Sequence, residues 1–125
     1  NMKTLIDETY LLRYVLQDEK EMFEVANALI AGGQAYTYPE YIARTAITLR
    51  DVYRVPRSQI AYVLNMLLDD VFVVDEDVVR CANRLFGTTI LDYLDCLSAA
   101  RSIVRGESIA SFEKPLLGRV LNQQM

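Results

Sequence analysis

Four short apolar runs read as β-strands, and each is separated from the next by a long stretch of helical periodicity. The runs are Lys3-Thr4-Leu5-Ile6-Asp7, Gln34 to Tyr36, Val71 to Val74, and Ser108 to Phe112. Connections of that length are not hairpin turns. They imply parallel strands joined by right-handed, mostly helical crossovers. The chain therefore reads as an α/β fold with a central parallel sheet of about four strands and roughly seven helices. At 125 residues, 52% of them hydrophobic, it has the material for one domain with a real core. Asn1 precedes Met2 and reads as a cloning remnant, which puts a single domain at 2–125.

The crossovers carry clear signals. Leu11 to Leu16 is a short helix candidate. Asp18 and Glu21 form a capping-box pair ahead of Met22, Val25, Ala26, Leu29 and Ile30, which recur with the spacing of one helical face. Gly32 closes that helix. Thr37 and Glu40 repeat the capping pattern, with Pro39 in the first turn, before the stripe Ile42, Ala46, Leu49 and Tyr53. Pro56 restarts the chain ahead of Ile60, Val63, Leu64, Leu67 and Leu68. Asp75 reads as the cap of a helix whose inner face is Val78, Ala82, Leu85 and Phe86, stopped by Gly87. Thr89 reads as the N-cap of a helix running to about Arg105 and closed by Gly106. Pro115 to Val120 reads as a terminal helix.

The chain contains no histidine. That excludes Ser-His and Cys-His nucleophilic sites and histidine-based zinc sites. No glycine-rich phosphate loop is present. Cys81 and Cys96 fall inside helical patterns and make no disulfide framework, which points to a reducing, cytoplasmic setting. No apolar run reaches the ~20 residues of a membrane helix. The net charge of −4 argues against nucleic-acid binding by bulk electrostatics alone. A divalent cation or a local basic patch, such as Arg50, Arg54 and Arg57, has to supply the attraction.

What remains for chemistry is carboxylate. In open α/β sheets ligands sit beyond the carboxyl ends of the strands, where Asp7 and Glu113 fall. Asp92 and Asp95 lie three apart and so on one side of a helix. On a helical wheel Asp92 falls within the apolar stripe of Cys96, Ala99, Ala100 and Ile103, and Asp95 lies at its edge. Burying carboxylates there costs several kcal/mol unless a cation or donors compensate. Capping beside Thr89 explains Asp92 alone. Convergent carboxylates without histidine suit hard cations such as Mg²⁺ or Mn²⁺. A response-regulator receiver is excluded because three to four helices separate Asp7 from Asp75.

Four pieces of the chain together resemble the PIN domain, in its VapC-like toxin group. Leu5-Ile6-Asp7-Glu8-Thr9-Tyr10-Leu11-Leu12 is similar to the opening motif L-I-D-T-N-x-L-L. Tyr53-Arg54-Val55-Pro56-Arg57 is similar to Y-x-V-x-R. Asp92-Tyr93-Leu94-Asp95-Cys96-Leu97 is similar to D-F-x-D-A-L, and Ser111-Phe112-Glu113-Lys114 to T-F-D-K. The resemblance implies a three-layer α/β/α sandwich and a Mg²⁺- or Mn²⁺-dependent endoribonuclease whose metal is held by four acids. By position these are Asp7, then Asp95 with Asp92 as accessory, and Glu113 in the fourth place. It also implies RNA as substrate, a small antitoxin protein as partner, and homodimers.

The chain departs from the pattern in three ways. Glu8 and Thr9 replace the threonine and asparagine of the opening motif. Glu113 is one methylene longer than the usual aspartate. Arg44 stands where the second acid belongs. A guanidinium is effectively always charged. At ~4 Å and an effective dielectric of ~20, each unit of charge near a cation counts for about 4 kcal/mol. Two readings of Arg44 follow. Either it points outward into a solvated face with Glu40 and Asp51, and the nuclease is weakened but intact. Or it stands among Asp7, Asp95 and Glu113 in place of the metal charge, and the domain is a catalytically inactive binding module.

Overall fold

A computed structural model of the chain describes residues 3–112, 118, 121 and 122. Its elements run β1 (Thr4–Leu5), α1 (Glu8–Leu16), α2 (Lys20–Ala31), β2 (Ala35–Thr37), α3 (Pro39–Asp51), α4 (Arg57–Asp70), β3 (Phe72–Val73), α5 (Glu76–Thr88) and α6 (Tyr93–Arg105). The strands form one parallel sheet in the order β1-β2-β3. Thr4 pairs with Ala35 and Leu5 with Tyr36; Tyr36 pairs with Phe72 and Thr37 with Val73. Two helices cross over between each successive pair of strands, as the long connections require.

The sheet has three strands among the described residues, not about four. Residues 108–112 run as irregular chain. Only Ile109 packs against the core, while Phe112 is fully exposed. A segment with one apolar contact has no face to bury and gains little from joining a sheet. Of the helix expected at 115–120 only Gly118 is described, and it is helical.

The stripes of α3, α4 and α5 face inward as their spacing demands, whereas in α2 only Ala26 and Ile30 are buried and Met22 and Val25 of the expected stripe are exposed. Ile42, Ala46, Leu49, Ile60, Leu64, Leu67, Val78, Ala82, Leu85 and Phe86 are all buried in one cluster with Ile6, Leu11 and Val73. Helix α5 packs between α4 and α6. Tyr53 departs from its stripe: it lies beyond the end of α3, is exposed, and its hydroxyl accepts from Arg13 at 3.1 Å. Both cysteines are buried free thiols. No helix among the described residues is long and apolar enough to cross a membrane.

Several helix ends differ from expectation for local reasons. Asp18 does not cap α2; it pairs with Arg13 at 3.3 Å, and Glu19 holds the N-cap position without a side-chain bond. Thr37 belongs to β2, where its buried hydroxyl donates to the Ile6 carbonyl at 2.7 Å and ties the first two strands together. Helix α3 accordingly starts on Pro39 after Tyr38. Asp75 precedes α5 in the left-handed region (φ 58°) and makes no side-chain cap bond. Gly87 does not stop α5, which continues to Thr88. Its role is steric: a Cβ there would lie 2.7 Å from Cβ of Ala61 on α4. Thr89 ends α5 rather than starting α6; its hydroxyl donates to the Leu85 carbonyl at 2.7 Å. Asp92 takes the N-cap position of α6.

Candidate functional site

Ile6 is buried and anchors the exit of β1. The next residue, Asp7, is extended and becomes the N-cap of α1. Its Oδ1 accepts from the Thr9 amide at 3.0 Å and from the Thr9 hydroxyl at 2.5 Å. An Asp before a helix commonly makes this kind of bond. The Thr9 hydroxyl, followed by backbone amides, holds the Asp7 carboxyl below its ordinary range, against a weaker opposing effect of burial. Asp7 is thus kept ionised at the carboxyl end of β1. It borders a cavity of about 360 Å³ whose wall includes Thr9, Tyr10, Leu29 and Tyr41. Glu8, in the first turn of α1, is half-buried, and its Oε2 is buried with no hydrogen-bond partner among the described residues.

Asp92 is not part of a buried stripe. As an N-cap it stands outside the helix, so the helical wheel does not apply to it, and its side chain is 75% exposed. Its carboxylate turns to Arg50, the penultimate residue of α3, at 3.3 Å. Arg50 also holds Asp51 at 2.7 Å. Asp95 lies in the first turn of α6 and is half-buried, beside the buried Cys96. Ser111 is exposed in the irregular segment, and Glu113 lies outside the described residues.

The Asp7 cavity includes Tyr41 near the start of α3, whereas Asp92 pairs with Arg50 near its end. At 1.5 Å per residue these two points are about 13 Å apart. Arg44, between them, is exposed and makes no ion pair among the described residues. Neither Glu40 nor Asp51 engages it; Asp51 is taken by Arg50.

Two arginines matter more than the sequence suggested. Arg50 fixes Asp92, as above. Arg57, the first residue of α4, donates Nε to the Phe86 carbonyl at 2.9 Å and Nη2 to the Leu91 carbonyl, and its guanidinium lies 3.9 Å from the Phe86 ring centre. Burial pushes its pKa down. It clamps the turn that leads into Asp92 and Asp95. The Y-x-V-x-R motif marked this arginine, but nothing local in the sequence pointed to backbone carbonyls some thirty residues on.

Asp7 offers an ionised carboxylate, and the Glu8 oxygen, orphaned among the described residues, is a further acceptor, both chemically suited to Mg²⁺ or Mn²⁺. Among the described residues no three Asp, Glu, Cys or His side chains gather closely enough to hold a metal ion. No family model, curated protein or solved structure matches the chain.

Proposed function

We propose that this chain is a PIN-like domain of the VapC-like kind: a three-layer α/β/α sandwich that cleaves single-stranded RNA with Mg²⁺ or Mn²⁺, weakened by the loss of the second acid. The observation that carries the reading is Asp7, ionised and fixed by Thr9 at the carboxyl end of a parallel strand, on the rim of a cavity. Asp7 and Asp95 are its principal cation ligands, with Asp92 and Glu113 in supporting places. A bound cation supplies an activated water and stabilises charge developing on the phosphate. Thr9 orients Asp7, and Arg57 positions the α6 acids through the backbone. The exposed, unpaired Arg44 favours this reading over one in which it replaces the metal charge. A cytoplasmic setting, a small antitoxin partner and a homodimer belong to the same proposal.

The alternative is a catalytically inactive PIN-like binding or interaction module in which Arg44 replaces the metal charge, favoured by the lack of a three-acid cluster among the described residues. One assay separates the two. Cleavage of single-stranded RNA is measured with Mn²⁺ and with EDTA, using wild type, Asp7→Asn and Asp95→Asn. Mn²⁺-dependent cleavage lost in both variants supports the nuclease. Cleavage by Asp95→Asn at the wild-type rate overturns it, and binding without any cleavage selects the module.

A further inference from the structure

A second cavity lies in the groove between α4 and α5. Its volume is about 560 Å³, within the range of small-ligand sites. No aspartate or glutamate lines it, although the chain as a whole is acidic. Two arginines do. Arg80 is matched by Asp69 at 2.9 Å and Glu76 at 3.4 Å. Among the described residues Arg84 pairs with no carboxylate; its Nη2 contacts the Cys81 sulfur at 3.6 Å. The uncompensated charge of the groove is therefore positive.

The core fixes a second polar group at this wall. Tyr93 donates to the Asn83 side-chain oxygen, and the Asn83 amide donates to the Asn65 oxygen at 2.9 Å. Asn83 and Tyr93 are fully buried, so this chain of bonds has one sensible direction. It ends on the side-chain oxygen of Asn65, a residue that lines the groove. The floor is small and flat where Gly87 meets Ala61. One wall carries Tyr62, whose side chain is 68% exposed and presents an aromatic face.

We propose that the α4–α5 groove binds a nucleotide, with its phosphate on Arg84, its base stacked on Tyr62, and a polar base edge on the Asn65 side chain. Guanidinium suits phosphate by charge and fork geometry. Stacking on tyrosine tolerates any base. The nucleotide arrives either free or as a unit of an RNA strand, and the chemistry is the same. The site is independent of the Asp7 acids and of any cation.

The test is titration of the full chain with AMP, adenosine, inorganic phosphate and a single-stranded oligoadenylate, followed by calorimetry in EDTA. AMP or the oligoadenylate binds more tightly than adenosine or phosphate alone. Arg84→Gln weakens that binding about tenfold. Tyr62→Ala weakens it about fivefold or more, and Tyr62→Phe restores it. Both positions are exposed, and unchanged melting temperatures verify the fold of each variant. Binding of AMP identifies the free nucleotide as source; binding of the oligoadenylate alone identifies the strand. No binding of either at millimolar concentration, equal binding by Arg84→Gln, or phosphate binding as tightly as AMP overturns the proposal. Because EDTA removes divalent cations, a failed nuclease assay leaves this result untouched.

Discussion

Arg50, near the end of α3, reaches Asp92 at the start of α6 at 3.3 Å while gripping its own neighbour Asp51 at 2.7 Å. Both carboxylates are largely exposed, so the pairs stabilise little. Their effect is on availability: Asp92 is engaged by a cation of the protein's own. Arg50→Gln is expected to leave the urea midpoint nearly unchanged. Under the nuclease proposal it also increases the rise in melting temperature produced by Mn²⁺, because Asp92 is released. A variant that melts as wild type does, with and without Mn²⁺, removes Asp92 from the proposed ligand set.

Gly87 sits inside α5, where alanine is intrinsically the better helix former by about 1 kcal/mol. The close approach to Ala61 opposes that preference, since the added methyl would meet Cβ of Ala61 at 2.7 Å. Forcing extra volume into a packed contact costs roughly 1–3 kcal/mol. Gly87→Ala is therefore expected to be net destabilising by about 1 kcal/mol in urea denaturation. Adding Ala61→Gly should recover part of the loss. A stabilised single variant would mean that α4 and α5 move apart freely.

The Thr9 hydroxyl lowers the Asp7 pKa, and the sign of its effect on stability follows. A carboxyl that titrates lower in the folded than in the unfolded chain stabilises above the unfolded pKa, whose ordinary value is 3.8. That contribution disappears as pH falls through the folded value. Thr9→Val is expected to cost up to about 1 kcal/mol at pH 7. The gap to wild type should narrow in acid, below about pH 4. Urea titrations at neutral and acidic pH check this. A penalty that does not change with pH would place the effect of Thr9 outside its bond to Asp7.

Helix periodicity made the architecture legible. Ile42, Ala46 and Leu49, or Val78, Ala82 and Leu85, can be buried together only on helices of the expected register, and they are. Helix ends were less legible because a hydroxyl has several uses. Thr37 and Thr89 both look like caps, yet one joins two strands and the other ends a helix. Residues 108–112 have strand composition, but a strand also needs a partner and a buried face, which composition does not record. At the site, Asp7 could be placed because it ends a strand. Asp92 was misjudged because a helical wheel assumes the residue is inside the helix. The arginines were harder still, since the partners of Arg57 are carbonyls that every residue type carries.

Arg57 holds the α5–α6 turn by the oxygens of Phe86 and Leu91, and the Thr89 hydroxyl ties the same turn to the Leu85 carbonyl and the Leu91 amide. Ile90, which is exposed, is accordingly open to exchange, provided the backbone keeps its course. Where the first turn of α6 points is inherited from the start of α4. A lesion at that one guanidinium would redirect the later acids without touching any of them.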